Sequence, residues 1–347
     1  MQAKEIKDIK ARLILDSRGN PTTEADVILA NNIRGRAAVP SGASRGDKEA
    51  HELRDKTSAW NGKGVNNALA NIDHHIKPAL IGKSVLDIQQ IDNIMIQLDG
   101  TNNKSKIGAN AMLAVSLAAV QAGALSQNKY LFEHIYHYIH HVEIENSITM
   151  PIPMMNILNG GSHADNNIDF QEFMIMPIQF SKFPEALQAG VEIFHSLKAI
   201  LQKYNYSTSL GDEGGFAPNL QNNEQAIELI LEATVKANYT PGKDISLALD
   251  IAASEFYSTQ QEIYFLTSEN KKLSSLQLIE YYQTLCNQYP IVSIEDGLDQ
   301  NDWDGWNKLN TLLGNKIQIV GDDLTATKAT LLKKAINSKA INAILIK

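Results

Sequence analysis

The chain has 347 residues, 44% of them hydrophobic and 20% charged, and a net charge of −8 at neutral pH. This is the profile of a globular chain with a sizeable core, and its acidic balance argues against nucleic acid as the main ligand, because neutralising phosphates takes clustered Lys and Arg. A single cysteine, Cys286, excludes an intrachain disulfide and, with no secretory leader in view, predicts a reducing cytosol; the longest apolar runs are too short to predict a membrane span.

The first thirty residues predict a strand, turn and strand: KDIKARLILD, the turn residues SRGNP (17–21), then TTEADVILA. The loop SGASRG (41–46) follows. Residues 62–98 carry helical periodicity through Val65, Leu69, Ile72 and Ile76, then Ile88, Ile91, Ile94 and Met95. Asn110 to Leu125 predicts an Ala-rich helix, apolar nearly all round and so buried. A polar, His-bearing stretch (133–147) separates this α+β part from the rest, with the domain boundary near 141–149. The second part opens with the strands PIPMMNILNG (151–160) and QEFMIMP (171–177). Helices are predicted from Pro184 to Tyr204 and from Asn223 to Ala237, around the glycine-rich loop GDEGGFAPN (211–219). Strands and helices then alternate at spacings that suit βα units with right-handed crossovers.

Four of those later strands end on charge: ISLALD at Asp250, IVSIED at Glu295 and Asp296, IQIVGDD at Asp322 and Asp323, and INAILIK at Lys347. One charge after a buried strand merely marks the return to solvent about half the time. Three carboxylates at successive strand ends are harder to dismiss, because parallel α/β folds put their chemistry at the carboxyl ends of the strands. Carboxylate oxygens suit hard cations, Mg²⁺ above all. Strand alternation points Asp296 and Asp323 elsewhere and predicts supporting or capping roles for them. Lys347 is either an ordinary terminal lysine or a general base whose pKa is lowered beside bound Mg²⁺. Glu213 in GDEGGF is either a solvated turn residue or a general acid on a compact loop. His163 in NGGSHADN is a loop histidine, a type more often solvated than catalytic. SGASRG lacks the ending of a phosphate-binding P-loop, yet could act as a hydroxyl-bearing lid. His134, His137, His140 and His141 have metal-ligand spacing, but nothing nearby in the sequence supplies carboxylates or thiolates in a metal-site pattern, so the structural reading is preferred.

Taken together, these residues resemble the enolase family. The resemblance runs through essentially the whole chain, in DSRGNPT (16–22), VPSGASRG (39–46), GANAMLAVSLA (108–118), NGGSHADNNIDFQEFMI (159–175), GDEGGFAPN (211–219), LALDIAASEFY (247–257), SIEDGLDQNDWDGW (293–306), VGDDLTAT (320–327) and ILIK (344–347). The family's reaction is the reversible dehydration of 2-phospho-D-glycerate to phosphoenolpyruvate, a lyase step of glycolysis. The implied fold is α/β: an α+β amino-terminal domain (1–141) capping a ββαα(βα)6 TIM-like barrel (146–347), truncated here after the sixth barrel strand. Two Mg²⁺ ions are implied, the first held by Asp250, Glu295 and Asp322, the second joined by Ser44. Lys347 would take the C2 proton, and Glu213 would protonate the departing hydroxyl with Glu172 assisting. His163 and Gln171 would contact substrate. The family further implies a cytoplasmic homodimer or higher oligomer, with reported partners in RNA-degrading assemblies and cell-surface or secreted plasminogen binding that no motif here carries. Arg45 stands where a small hydroxyl residue is common. Family members also continue for two further strand–helix units, which supply an Arg-Ser pair and a lysine at the substrate. The sequence therefore predicts little or no activity for this chain alone and an exposed edge at 341–346. The competing readings are a non-catalytic binding or surface protein and a related acid-sugar dehydratase. The SGAS and GDEGGF loops argue against the latter.

Overall fold

Alternating side chains at the start of the chain form β1 (Ile6–Leu15) and β2 (Pro21–Leu29), which pair antiparallel with Ala11 opposite Ala25. Asp16 closes their turn by accepting from the amides of Arg18 and Asn20 at 2.9 and 2.8 Å, and Gly19 supplies the positive φ of +75°. A third strand, β3 (Arg34–Val39), pairs with β2 and has no counterpart among the predicted elements, because its arginines blur the alternation. Those arginines lie over the carboxylate of Asp26, with Arg36 Nε 2.7 Å from Asp26 Oδ1. Burial works to raise that carboxyl, but Arg36 and Arg12 outweigh it and hold it at about 2. The computed structural model describes residues 2–42, 46–142, 144 and 148–347.

Two compact units divide the chain: Met1–Gly42 with Glu49–Thr149, and Ala43–Lys48 with Met150–Lys347. In the first, the predicted 62–98 helix resolves into α1 (Asn66–Asn71), a π turn (Ile72–Ile76), α2 (Lys77–Leu80) and α3 (Ile88–Asp99). Asp87 caps α3 by accepting from Gln90 N, and Gly100 ends it in the left-handed region. The Ala-rich α4 (Ala109–Ser126) packs its small residues on β2 and β3. By length and composition it could cross a membrane, yet most of it is buried as a core helix. It is not buried all round, however: Leu113, Leu117 and Leu125 face outward. The His-bearing stretch is not a spacer either. It contains α5 (Leu131–His140), opened by a capping box at Tyr130 and Glu133.

Gly35 of β3 sits against α4 so closely that an added Cβ would lie 2.2 Å from Ala118 O and from Ala122 N. Both are helix backbone atoms, so neither can swing aside. Gly35→Ala is therefore expected to cost about 3 kcal/mol, at the upper end of overpacking penalties, read as a lower urea midpoint with unchanged slope. An unchanged midpoint would show that the sheet slides off the helix freely.

The second unit follows the order the sequence predicts. β4 (Met155–Asn159) and β5 (Glu172–Pro177) pair antiparallel, then come α6 (Phe183–Lys203) and α7 (Asn223–Lys236). After β6 (Ile245–Asp250) the chain makes a small antiparallel sheet, β7 (Tyr257–Ser258), β8 (Ile263–Leu266) and β9 (Lys271–Leu273), before α8 (Ser275–Gln288). That sheet fills the longest of the intervals between the four charge-ended strands and was not itself predicted. Then follow β10 (Ile291–Glu295), α9 (Trp303–Leu313), β11 (Gln318–Gly321), α10 (Ala329–Asn337) and β12 (Ala343–Ile344). The main sheet runs β12-β11-β10-β6-β5-β4, with β6, β10, β11 and β12 parallel and β5 antiparallel to both neighbours. Its core is built from strand residues such as Leu247, Leu249 and Ile294 and helix residues such as Ile193, Ile230 and Trp306.

Candidate active site

Strand register alone gathers the charged residues. Asn159 lies opposite Glu172, Glu172 opposite Asp250, Asp250 opposite Glu295, and Glu295 opposite Val320. Asp322 follows directly on β11, and its carboxylate lies with that of Asp323, their oxygens within 4.8 Å of each other. Oxygens of Asp250, Glu295 and Asp296 lie within 4.8 Å of one another, all buried. Asp250 Oδ2 accepts from Gln171 Nε2 at 3.0 Å, and its Oδ1 from the amide of Ala252 at 3.0 Å. Gln171 is oriented in turn by Ser162 Oγ, which donates to its Oε1 at 2.7 Å. Lys347 Nζ lies 2.8 Å from Asp322 Oδ2.

Asp296 follows β10 with φ +44° and keeps an oxygen beside Asp250 and Glu295, not turned away from them as alternation predicts. Its two oxygens accept from the amides of Asp322 and Asp323 at 3.1 and 2.9 Å, so it caps the turn that carries Asp322. The capping role matches the sequence reading; the direction does not. The backbone just after the strands is held in the left-handed region at non-glycine residues, with φ of +47° at Ala252, +44° at Asp296 and +46° at Ala326. Such conformations cost free energy and persist where the surroundings enforce them.

A second cluster forms on the β5 side. His163 Nδ1 lies 3.4 Å from Glu172 Oε1 and 3.7 Å from Glu213 Oε1. His163 is buried rather than solvated, and neither ring nitrogen has a hydrogen-bond partner among the described residues. Glu213 reaches this point because its loop is tied down. Asp212 N donates to His163 O at 2.9 Å, Gly215 N to Asn159 Oδ1 at 2.9 Å, and Phe216 N to Ile157 O at 3.0 Å. Gly214 turns the loop at φ +86°. Ser44 lies outside the described residues. Gly46 is described, and a Cβ added there would fall 2.4 Å from Asp323 Oδ1.

Two family models cover nearly the whole chain: "Enolase, N-terminal domain" matches residues 6–135 and "Enolase, C-terminal TIM barrel domain" matches residues 147–347. Proteins named enolase from two strains of Legionella pneumophila, Lens and Corby, are 56% and 55% identical to it over 343 residues, 99% of this chain and 79% of each relative. The chain belongs to the enolase family. Its α+β first unit and α/β second unit have the expected fold class. As an enolase it is a lyase of glycolysis, of the phosphopyruvate hydratase class.

The strand-end cluster crowds buried carboxyls together. Burial, and then the charge of Glu172, push Asp250 up to about 8. Burial, then Asp250 and Asp296, push Glu295 up to about 10. The other cluster behaves oppositely. Burial opposes charge on His163, but Glu172 and Glu213 outweigh it and raise the imidazole above its ordinary value. Burial likewise opposes charge on Glu172, and His163 and Glu213 together draw its pKa down.

The histidines of α5 form no comparable centre. His134, His137 and His141 line a cavity with Ser84, Asp87 and Gln127, and His134 Nδ1 lies 2.9 Å from Gln127 Nε2. Among the described residues, no three potential ligand atoms from this helix come within 4.8 Å of one another. Sequence reasoning missed Ser162 and Asn159, whose hydrogen bonds hold Gln171 and the Glu213 loop. The only available signal was their place inside the NGGSHADN segment.

Proposed function

We propose that this enolase catalyses the Mg²⁺-dependent, reversible dehydration of 2-phospho-D-glycerate to phosphoenolpyruvate. One observation supports it above the others: three strand-end carboxylates and Lys347 share one end of the sheet, beside a separate His163–Glu172–Glu213 cluster. That supplies a metal-binding arm with a base next to it, and a distinct acid arm.

The donor set fits the metal. Asp250, Glu295 and Asp322 offer only oxygen atoms, and the raised carboxyls of Asp250 and Glu295 are those of acids buried together without enough positive charge. These three residues would hold one Mg²⁺, and Ser44 would join a second. When bound, the metal supplies positive charge opposite the substrate carboxylate, where the dianionic enolate builds up. The remaining work falls to side chains. Lys347 Nζ takes the proton from C2, and the electrons of that C–H bond become the C2–C3 double bond. The C3–O bond breaks, and Glu213 gives its proton to the departing hydroxyl, which leaves as water. Glu172 supports the acid arm, with His163 and Gln171 against the substrate. A cytoplasmic site of action and a homodimer belong to the same proposal.

The test is direct. The protein is incubated with 2-phosphoglycerate and Mg²⁺, and formation of the enol product is followed by its absorbance. Turnover that stops on chelation and returns with Mg²⁺ supports the proposal and overturns the expectation, drawn from the sequence, of little or no activity in this chain alone. Preferential turnover of a non-phosphorylated acid sugar would assign the related dehydratase chemistry instead. A folded, monodisperse protein inert toward all of these would favour a binding role.

A further inference from the structure

Asn159 is the last residue of β4 and is completely buried, yet among the described residues its hydrogen bonds go to Gly215, Gln171, Phe216 and Asn166 and to none of the clustered charges. All of its polar groups are engaged. Its Oδ1 accepts from Gly215 N at 2.9 Å, and its Nδ2 donates to Gln171 O at 3.2 Å. Its own amide donates to Phe216 O at 2.9 Å, and its carbonyl accepts from Asn166 Nδ2 at 2.9 Å. Two glycines of the Glu213 loop press against the side chain. A Cβ on Gly215 would lie 2.6 Å from Asn159 Oδ1, and one on Gly211 would lie 2.8 Å from Asn159 Cβ. One side of the amide thus carries the loop that presents Glu213. The other carries the backbone of Gln171, whose side chain bonds Asp250.

We infer that Asn159 is a positioning residue that sets the Glu213 loop against the metal-binding arm, through opposite ends of a single buried amide. An amide suits the place because it accepts on one side and donates on the other. Aspartate has the shape and the acceptor but cannot, when ionised, donate to the Gln171 carbonyl. Alanine has neither group and leaves Gly215 N–H buried without its acceptor.

This inference rests on the proposed division of labour, in which Lys347 handles the C2 proton and Glu213 the hydroxyl. The two steps can be measured apart. Exchange of the C2 hydrogen with D₂O reports proton removal and return alone, whereas product formation also needs the acid arm. In Asn159→Ala, product formation is expected to fall about 30- to 100-fold, the usual scale for misplacing a reacting group by about an ångström. C2 exchange should stay within about threefold of the parent, because Lys347 is untouched. A merely structural role would lower both rates together, and a parallel fall overturns the inference, as does no fall at all.

Amide hydrogen exchange provides the readout that needs no turnover. Gly215 N–H should lose protection in Asn159→Ala while the amides of β5 and β6 keep theirs; unchanged protection at Gly215, or loss throughout the unit, overturns the inference. If Asn159→Ala does not fold, Asn159→Asp is scored in its place. It retains the Oδ1 acceptor, so Gly215 should stay protected while the Gln171 amide environment shifts, and loss of protection at Gly215 counts against the inference. A parent protein that neither exchanges C2 nor forms product would remove the proposed function, and the amide protection would still decide whether Asn159 holds the loop.

Discussion

Lys347→Ala should abolish both dehydration and C2 hydrogen exchange, each by about 10³-fold or more, the upper range for loss of a positioned general base. The side chain lies 2.8 Å from Asp322 and close enough to Glu172 for its charge to help lower that carboxyl. Alanine therefore removes the proposed proton acceptor and also a positive charge from a cluster that has little to spare. Lys347→Arg separates the two losses. A guanidinium can keep the ion pair with Asp322, but it stays charged and cannot accept the proton, so folding should recover while the rate does not. Glu213→Gln is the complement: product formation falls by a similar factor, whereas C2 exchange survives, because the base is intact and only the hydroxyl lacks its acid. Exchange surviving in Lys347→Ala would transfer the base role to another residue, and Glu172 would be the first to examine. Exchange lost in Glu213→Gln would mean that the two steps are not separable.

Much of this arrangement was legible in the sequence because it follows from periodicity. Runs of Ile, Val and Leu that stop at Asp250, Glu295 and Asp322 can be read as buried strands, and strand register then brings their ends together without further information. Asp296 was misread by the same logic: one step along a strand would reverse the side chain, but β10 ends at Glu295 and the left-handed backbone at Asp296 keeps its carboxylate beside Asp250 and Glu295. What escaped was written in contacts between distant segments. The bond between Asn159 and Gly215 spans 56 residues, and no local pattern marks an asparagine that will accept from a particular glycine. The burial of His163 was hidden too, since a histidine among glycines looks solvated until Glu172 and Glu213 close on it. β3 was masked by its arginines, which are there to cover Asp26. In α4, Ala and Leu read alike as apolar, although the alanines are buried together with Met112 and Val115 while Leu113 and Leu117 face away.

Stability without divalent cation should fall as pH rises, and Mg²⁺ should abolish that dependence. Asp250 and Glu295 titrate in the folded chain at about 8 and about 10, against ordinary carboxyl values near 4. The folded state therefore holds protons that the unfolded state has already released. Their stabilisation is fully present below about pH 4, declines through the interval above it, and is lost once pH passes the folded values. Each buried carboxyl contributes at most about 1.4 kcal/mol per pH unit across that interval. Bound Mg²⁺ reverses the balance, because it favours the ionised form that burial opposes. The rise in Tm on adding Mg²⁺ should thus grow between about pH 5 and about pH 8, by an amount of order 5 °C for a chain of this size. Glu295→Gln removes one titrating group and one ligand together. It should flatten the metal-free pH profile, raise stability near neutrality, and lose the Mg²⁺ response along with turnover. Gain of stability with loss of activity is the expected signature of a carboxylate kept for its ligand and not for the fold. A Mg²⁺ response that is equal at both pH values, or one that survives in Glu295→Gln, would place the metal elsewhere and leave these strand-end acids as no more than a buried acidic cluster.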